Sequence, residues 1–168
     1  GLAVFAVSAK ALARAKTVPN RGAYYDFVKF AEFDDKAQTP ETPAISQINA
    51  LAAQMKSFRK EGIEARFQRH LQLAEIGRAW ARERFDTFAP KGYESVTLTT
   101  VKNTREIDVG GLIEALKASK CVEIGNGYGK LKDKTFRIAH MGETSVEELR
   151  EILGWIDEIL PTLKTASA

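Results

Sequence analysis

The sequence predicts an α+β fold: a short β-sheet with helices on one face, joined to a long helical segment and an N-terminal strand. Three observations carry that expectation. Apolar residues recur at a helical period over residues 43–85 and again near the C-terminus. Short apolar or β-branched runs at 96–101, 121–124 and 135–139 alternate with helical stretches. The composition of the 168 residues, 44% hydrophobic and 28% charged, suits one core or a small domain with a helical arm.

The elements follow in order. Gly1 to Val7 is a continuous apolar run, as in a strand buried on both faces. A chain that opens in mid-strand reads as a piece of something larger. Ser8 can cap a short helix through Lys16, and Pro19-Asn20-Arg21-Gly22 then turns the chain. Tyr24 to Phe33 is aromatic-rich, with Tyr24, Phe27 and Val28 at helical spacing. Gln38-Thr39-Pro40-Glu41-Thr42-Pro43 follows, and its two prolines force an extended approach.

A long helix is expected from near Pro43, with Ile45, Ile48, Leu51, Ala52, Met55 and Phe58 on one stripe. Gly62 should break it. A second helix, Ile63 to Phe85, would turn Phe67, Leu71, Ala74 and Trp80 inward and leave Arg66, Arg69, Arg78, Arg82 and Arg84 on a solvated face. The division expected is 1–60 and 61–168.

Val96 to Val101 reads as a strand, and Asp108 as the cap of a helix from Val109 to Ser119. Cys121 to Ile124 and Thr135 to Ala139 read as two further strands. Ser145-Val146-Glu147-Glu148 is a capping box. The last helix should run to Leu160, with Val146, Leu149, Ile152, Leu153, Ile156 and Leu160 inward. The tail from Thr165 reads as disordered.

Bulk properties exclude several function classes. Twenty-five Lys and Arg against 22 Asp and Glu give a net charge of +3, without a basic stripe interleaved with aromatics. Nucleic acid is therefore not an expected partner. One cysteine and two histidines leave no framework for a metal site. No apolar run approaches the ~20 residues of a membrane helix, and no leader resembles a signal peptide. A reducing, cytoplasmic setting is the expectation.

The residue that stands out is Arg137. Phe136 and Ile138 flank it as in a strand, so it points to the opposite face from both. A guanidinium is costly to desolvate unless an anion meets it, and its planar fork suits a carboxylate held by two parallel hydrogen bonds. The structural alternative is an ion pair with an acidic neighbour such as Glu123. Upstream, Gly125-Asn126-Gly127-Tyr128-Gly129 either brings backbone close to a small ligand or is a glycine-rich hairpin. His140 reads as a packing or hydrogen-bonding residue, and His70 has no evident partner.

The Gln38–Ser46 segment, the Gly125–Gly129 loop and the run Phe136-Arg137-Ile138-Ala139-His140-Met141-Gly142 occur in fixed order. Together they resemble the C-terminal portion of class V, pyridoxal-phosphate-dependent aminotransferases, the alanine–glyoxylate, serine–pyruvate and phosphoserine group. The resemblance covers essentially the whole chain. It implies an α/β parent of fold type I, with 1–60 as the tail of the large cofactor domain plus a dimer-contact loop and 61–168 as the C-terminal small domain. It implies that Arg137 grips the substrate α-carboxylate beside Gly125, Asn126 and Gly127. Gln38 and Thr39 would contact the cofactor phosphate of the neighbouring subunit in a homodimer.

The same resemblance implies an amino-group transfer from alanine, serine or phosphoserine to a 2-oxo acid such as glyoxylate or pyruvate. It places the lysine that bonds pyridoxal 5'-phosphate, and the carboxylate at the pyridine nitrogen, in the large N-terminal domain. No lysine here matches that motif, since Lys10 lies in a charged helix. No catalytic residue is therefore assigned, and the piece alone is expected to be inactive. The competing expectation is a non-catalytic α/β module for a small carboxylate ligand or a protein partner. A basic RNA-binding domain is a third.

Overall fold

Gly62 adopts φ 87°, a value that only glycine holds without strain, and it separates two helices. These are α3 (Ile45–Glu61) and α4 (Ile63–Arg84). The computed structural model describes residues 2–163, so the tail expected to be disordered lies outside the described residues. The chain divides into two units, Gly1–Lys60 and Glu61–Ala168.

The first unit is helical. The Ser8 hydroxyl accepts from the Ala11 N–H and starts α1 (Ala9–Lys16). Asp26 accepts from the Val28 N–H and from Arg21 Nε, which starts α2 (Phe27–Asp34). The Phe5 and Phe27 rings meet edge to face at 5.4 Å. None of these three helices buries a residue within the chain, and Ile45, Ile48, Leu51 and Met55 on α3 are all exposed. Of the strand expected over residues 1–7, residue 1 lies outside the described residues, and residues 2–7 have no ladder partner among them, with Val4 82% exposed. A strand exists only where a neighbour pairs its backbone.

The second unit holds the core. Its antiparallel sheet has the order β1-β2-β4-β3, with β1 Asp86–Thr87, β2 Leu98–Lys102, β3 Gly125–Asn126 and β4 Thr135–Ala139. Helices α4, α5 (Val109–Lys120) and α6 (Val146–Ile159) supply Leu73, Trp80, Leu112, Leu116, Leu149 and Ile156 to a cluster with Val101, Phe136 and Ile138. Asp108 caps α5 and the Ser145–Glu148 capping box is fully formed, because each satisfies N–H groups that the first helical turn leaves free. Gly77 lets α4 approach β2: a Cβ there would lie 2.7 Å from Thr99 Oγ1.

Three expectations need correction. On α4 the inward face carries Arg66, His70, Leu73, Ala74, Gly77, Trp80 and Ala81, whereas Phe67 and Leu71 are exposed. The N-terminal half of α4 meets carbonyls of the β4–α6 loop, which need donors rather than methyl groups (Arg66 Nη2 to Gly142 O, 2.8 Å). For the same reason the α4 arginines do not form a merely solvated face. Arg66 and Arg69 pair with Glu61, Arg82 with Glu94, Arg84 with Asp157, and Arg78 Nη2 donates to the Glu94 and Ser95 carbonyls. Finally, Cys121–Ile124 is not a strand. Cys121 ends α5 in the left-handed region at φ 55°, and pairing with β4 begins only at Gly125.

Candidate functional site

The alternation of β4 sends Phe136 and Ile138 into the core and leaves Arg137 half-buried on the face away from the helices. In register, Arg137 lies opposite Thr100 of β2 on one side and Gly125 of β3 on the other. Its guanidinium occupies a slot. On one side is Gly125, where a Cβ would stand 2.7 Å from Nη2 and 3.1 Å from both Cζ and Nε. Against it lies the Tyr128 ring, whose centroid is 4.0 Å from Cζ. Nε donates to the Asn126 carbonyl at 2.9 Å. Neither Nη donates to a protein acceptor, and no carboxylate, Glu123 included, pairs with Arg137 among the described residues. The Nη1–Nη2 edge is free to grip an anion with two parallel bonds.

The loop before β4 keeps this slot in shape. Asn126 Oδ1 accepts from the N–H groups of Gly127 (2.7 Å) and Asp133 (2.9 Å), while Nδ2 donates to Asp133 Oδ1 at 2.7 Å. Gly127 also donates its N–H to Thr135 O, and a Cβ on it would fall 2.1 Å from Leu131 O. Of the three loop residues, then, Gly125 borders the guanidinium directly. Asn126 reaches it through its backbone carbonyl. Gly127 acts only by letting the loop close.

Gln38 and Thr39 lie in the first unit, in a turn whose shallow surface depression is lined by Ala37, Gln38, Thr39, Glu41, Thr42 and Pro43. The Thr39 hydroxyl donates to Glu41 O at 2.6 Å, and Lys29 pairs with the Glu41 carboxylate at 3.0 Å. The backbone N–H groups of Thr39, Glu41 and Thr42 and the Gln38 side-chain amide have no protein acceptor among the described residues, whereas the Gln38 backbone N–H donates to Phe33 O. Such a donor set fits a phosphate, which needs several N–H and O–H groups at once.

One feature escapes the sequence reading: the Tyr128 ring against Arg137, whose only signal is an aromatic residue inside a glycine loop. His140, read as a packing or hydrogen-bonding residue, is fully buried with Nε2 2.9 Å from Thr99 Oγ1. Burial holds its pKa below the usual histidine value, and nearby Arg78 and His70 act in the same direction.

No family model matches the chain. An aminotransferase of Methanocaldococcus jannaschii is 31% identical over 166 residues, an alignment that takes in 97% of this chain and 43% of that protein. The serine–glyoxylate aminotransferase of Arabidopsis thaliana is 27% identical over 165 residues, 95% of this chain and 41% of that one. The crystal structure of pyridoxamine–pyruvate aminotransferase from Mesorhizobium loti superposes with a TM-score of 0.79 at 26% identity, covering 93% of this chain and 41% of that one. The chain's homologues are class V aminotransferases. The chain corresponds to the C-terminal portion of these aminotransferases, whose fold is type I, and spans about two fifths of the length of the relatives it matches. No helix among the described residues is long and apolar enough to cross a membrane.

Proposed function

We propose that the complete protein is a pyridoxal-phosphate-dependent aminotransferase that moves an amino group from a small amino acid to a 2-oxo acid such as glyoxylate or pyruvate. Within it, Arg137 holds the α-carboxylate of the amino-acid substrate. The observation that carries this reading is the free Nη edge of a guanidinium fixed by Asn126 and Tyr128 and unpaired with any carboxylate of the described chain.

The cofactor, when bound, supplies an electron sink that makes the α-proton of the substrate acidic. The part of this chain is binding and orientation. Two parallel bonds from Arg137 would fix the carboxylate plane and with it the direction of the Cα–H bond, a positioning effect. Gln38 and Thr39 would contact the cofactor phosphate, a reading supported by the free donors of that turn. Thr39 would first have to release the Glu41 carbonyl. We further read residues 1–60 as the end of the large cofactor domain with its dimer-contact loop, residues 61–168 as the small domain, and the protein as a cytoplasmic homodimer. No lysine here takes the cofactor-linking role, so the 168 residues alone would not turn over substrate.

In the full-length protein, Arg137→Ala is expected to raise the KM of the amino acid and lower kcat/KM by tenfold or more, about 1.4 kcal/mol at least. Unchanged kinetics with alanine, serine and aspartate as donors would reject the assignment.

A further inference from the structure

We propose that Tyr128 is a positioning residue for the carboxylate site: its ring fixes the plane of the Arg137 guanidinium so that the Nη edge faces the substrate. The inference rests on the carboxylate reading of Arg137 given above. Tyr128 is 77% exposed, and its ring makes no aromatic contact to another side chain among the described residues. Its hydroxyl has no hydrogen-bond partner there either. The ring's one cation–π contact among the described residues is the Arg137 guanidinium, at 4.0 Å.

A guanidinium has two weakly hydrated faces and a rim of in-plane donors. Here Gly125 crowds the group from one side and the Tyr128 ring lies against it, while Nε is taken by Asn126 O. Only the Nη edge remains for a ligand. Without the ring, the end of the side chain would be free to rotate away from Gly125, and a coplanar carboxylate would have to freeze that rotation on binding. The ring itself is well placed to resist. Tyr128 has ordinary extended dihedrals (φ −99°, ψ 146°) and follows the Asn126 and Gly127 bonds that close the loop. A side chain that preorganises a binding group acts on substrate and transition state alike, so its loss should appear in KM rather than in kcat.

The test uses the full-length protein with Tyr128→Ala and Tyr128→Phe, each made with and without Arg137→Ala. The donor is whichever of L-alanine, L-serine and L-aspartate turns over fastest with glyoxylate. Binding of its 2-methyl analogue, which lacks the α-proton, gives a readout free of turnover. Tyr128→Ala should raise the KM of the donor and the Kd of the analogue about three- to fivefold, the size of an exposed cation–π contact. kcat should change less than twofold, and Tm not at all. Tyr128→Phe should behave as the natural protein, and Tyr128→Ala should add nothing once Arg137 is gone. An unaltered KM, the same loss in both backgrounds, or a Phe variant as weak as the Ala variant would each overturn the role. If Arg137→Ala proves costly and Tyr128→Ala harmless, only this inference falls. If Arg137→Ala is itself harmless, the carboxylate reading falls first and takes this one with it.

Discussion

Two groups of arginines in the Glu61–Ala168 unit are built in opposite ways. Arg66 and Arg69 both close on the Glu61 carboxylate, with Arg66 Nη1 2.9 Å from Oε2 and Arg69 Nε 2.6 Å from Oε1, and Arg66 Nη1 also reaches Glu143 Oε1 at 3.3 Å. Other donors of the pair reach the carbonyls of Gly142 and Thr144 on the loop after β4. Arg137 has a ring, a glycine and one carbonyl, and no carboxylate among the described residues. Both arrangements restrain a guanidinium. Among the described residues only the second leaves its two-donor edge unused, and that difference separates a cation that ties the fold together from one whose edge stays open.

The comparison breaks most easily at the two glycines beside Arg137. Alanine at Gly127 would set its Cβ against the Leu131 carbonyl at 2.1 Å and Thr135 Oγ1 at 2.5 Å, so backbone must move. A cost of about 1–3 kcal/mol and a lowered Tm are expected. Alanine at Gly125 meets only the end of the Arg137 side chain, which can swing aside. There the Tm should hold while kcat/KM falls several-fold. Equal melting temperatures for the two variants would show that the loop is not shaped as described.

A second prediction addresses the satisfied pair. The two guanidiniums hold the Glu61 carboxyl at about 2, well below its ordinary 4.5, with Arg69 the larger influence. A carboxylate whose folded pKa is depressed stabilises fully above its unfolded value and loses that contribution as pH falls through the folded one. Glu61→Gln should therefore lower Tm by a few degrees at pH 7. The gap from the natural protein should close as pH falls from about 4.5 towards about 2. A gap that stays constant across that window would mean that the charge on Glu61 is not what the arginines require.

These contrasts also show what a sequence can reveal. Arg137 was legible because a period of two, with Phe136 and Ile138 as markers, fixes its face without any tertiary knowledge. The Ser145–Glu148 box and the Gly62 break were legible for the same local reason. The inward face of α4 was not. Apolar periodicity favours Phe67 and Leu71, whereas the burial of Arg66 depends on Glu61 and on loop carbonyls some 76 residues away. Residues 1–7 read as a strand from composition, yet pairing is a property of two segments and composition describes one. Cys121 gave no warning that it would take the left-handed cap of α5, a place where glycine is usual. Whether Gln38 and Thr39 meet a phosphate depends on a ligand, and only their free neighbouring donors are visible.

The smallest effect belongs to a third kind of polar group, one buried without charge. His140 is fully enclosed; Nε2 contacts Thr99 Oγ1 and Nδ1 has no hydrogen-bond partner among the described residues. Arg78 and His70, both on α4, lie close enough to oppose a second positive charge, and burial opposes it more strongly. The folded chain thus keeps this imidazole neutral at pH values where the unfolded chain would protonate it. Because the unfolded state then binds the extra proton, stability must fall as pH drops below the ordinary histidine value of 6.5 and be complete above it. Thermal melts at pH 7.5 and 5.5 should show that loss, and His140→Gln, which cannot take up the proton, should show less of it. An identical slope in both proteins would place the acid sensitivity elsewhere, leaving His140 as packing alone.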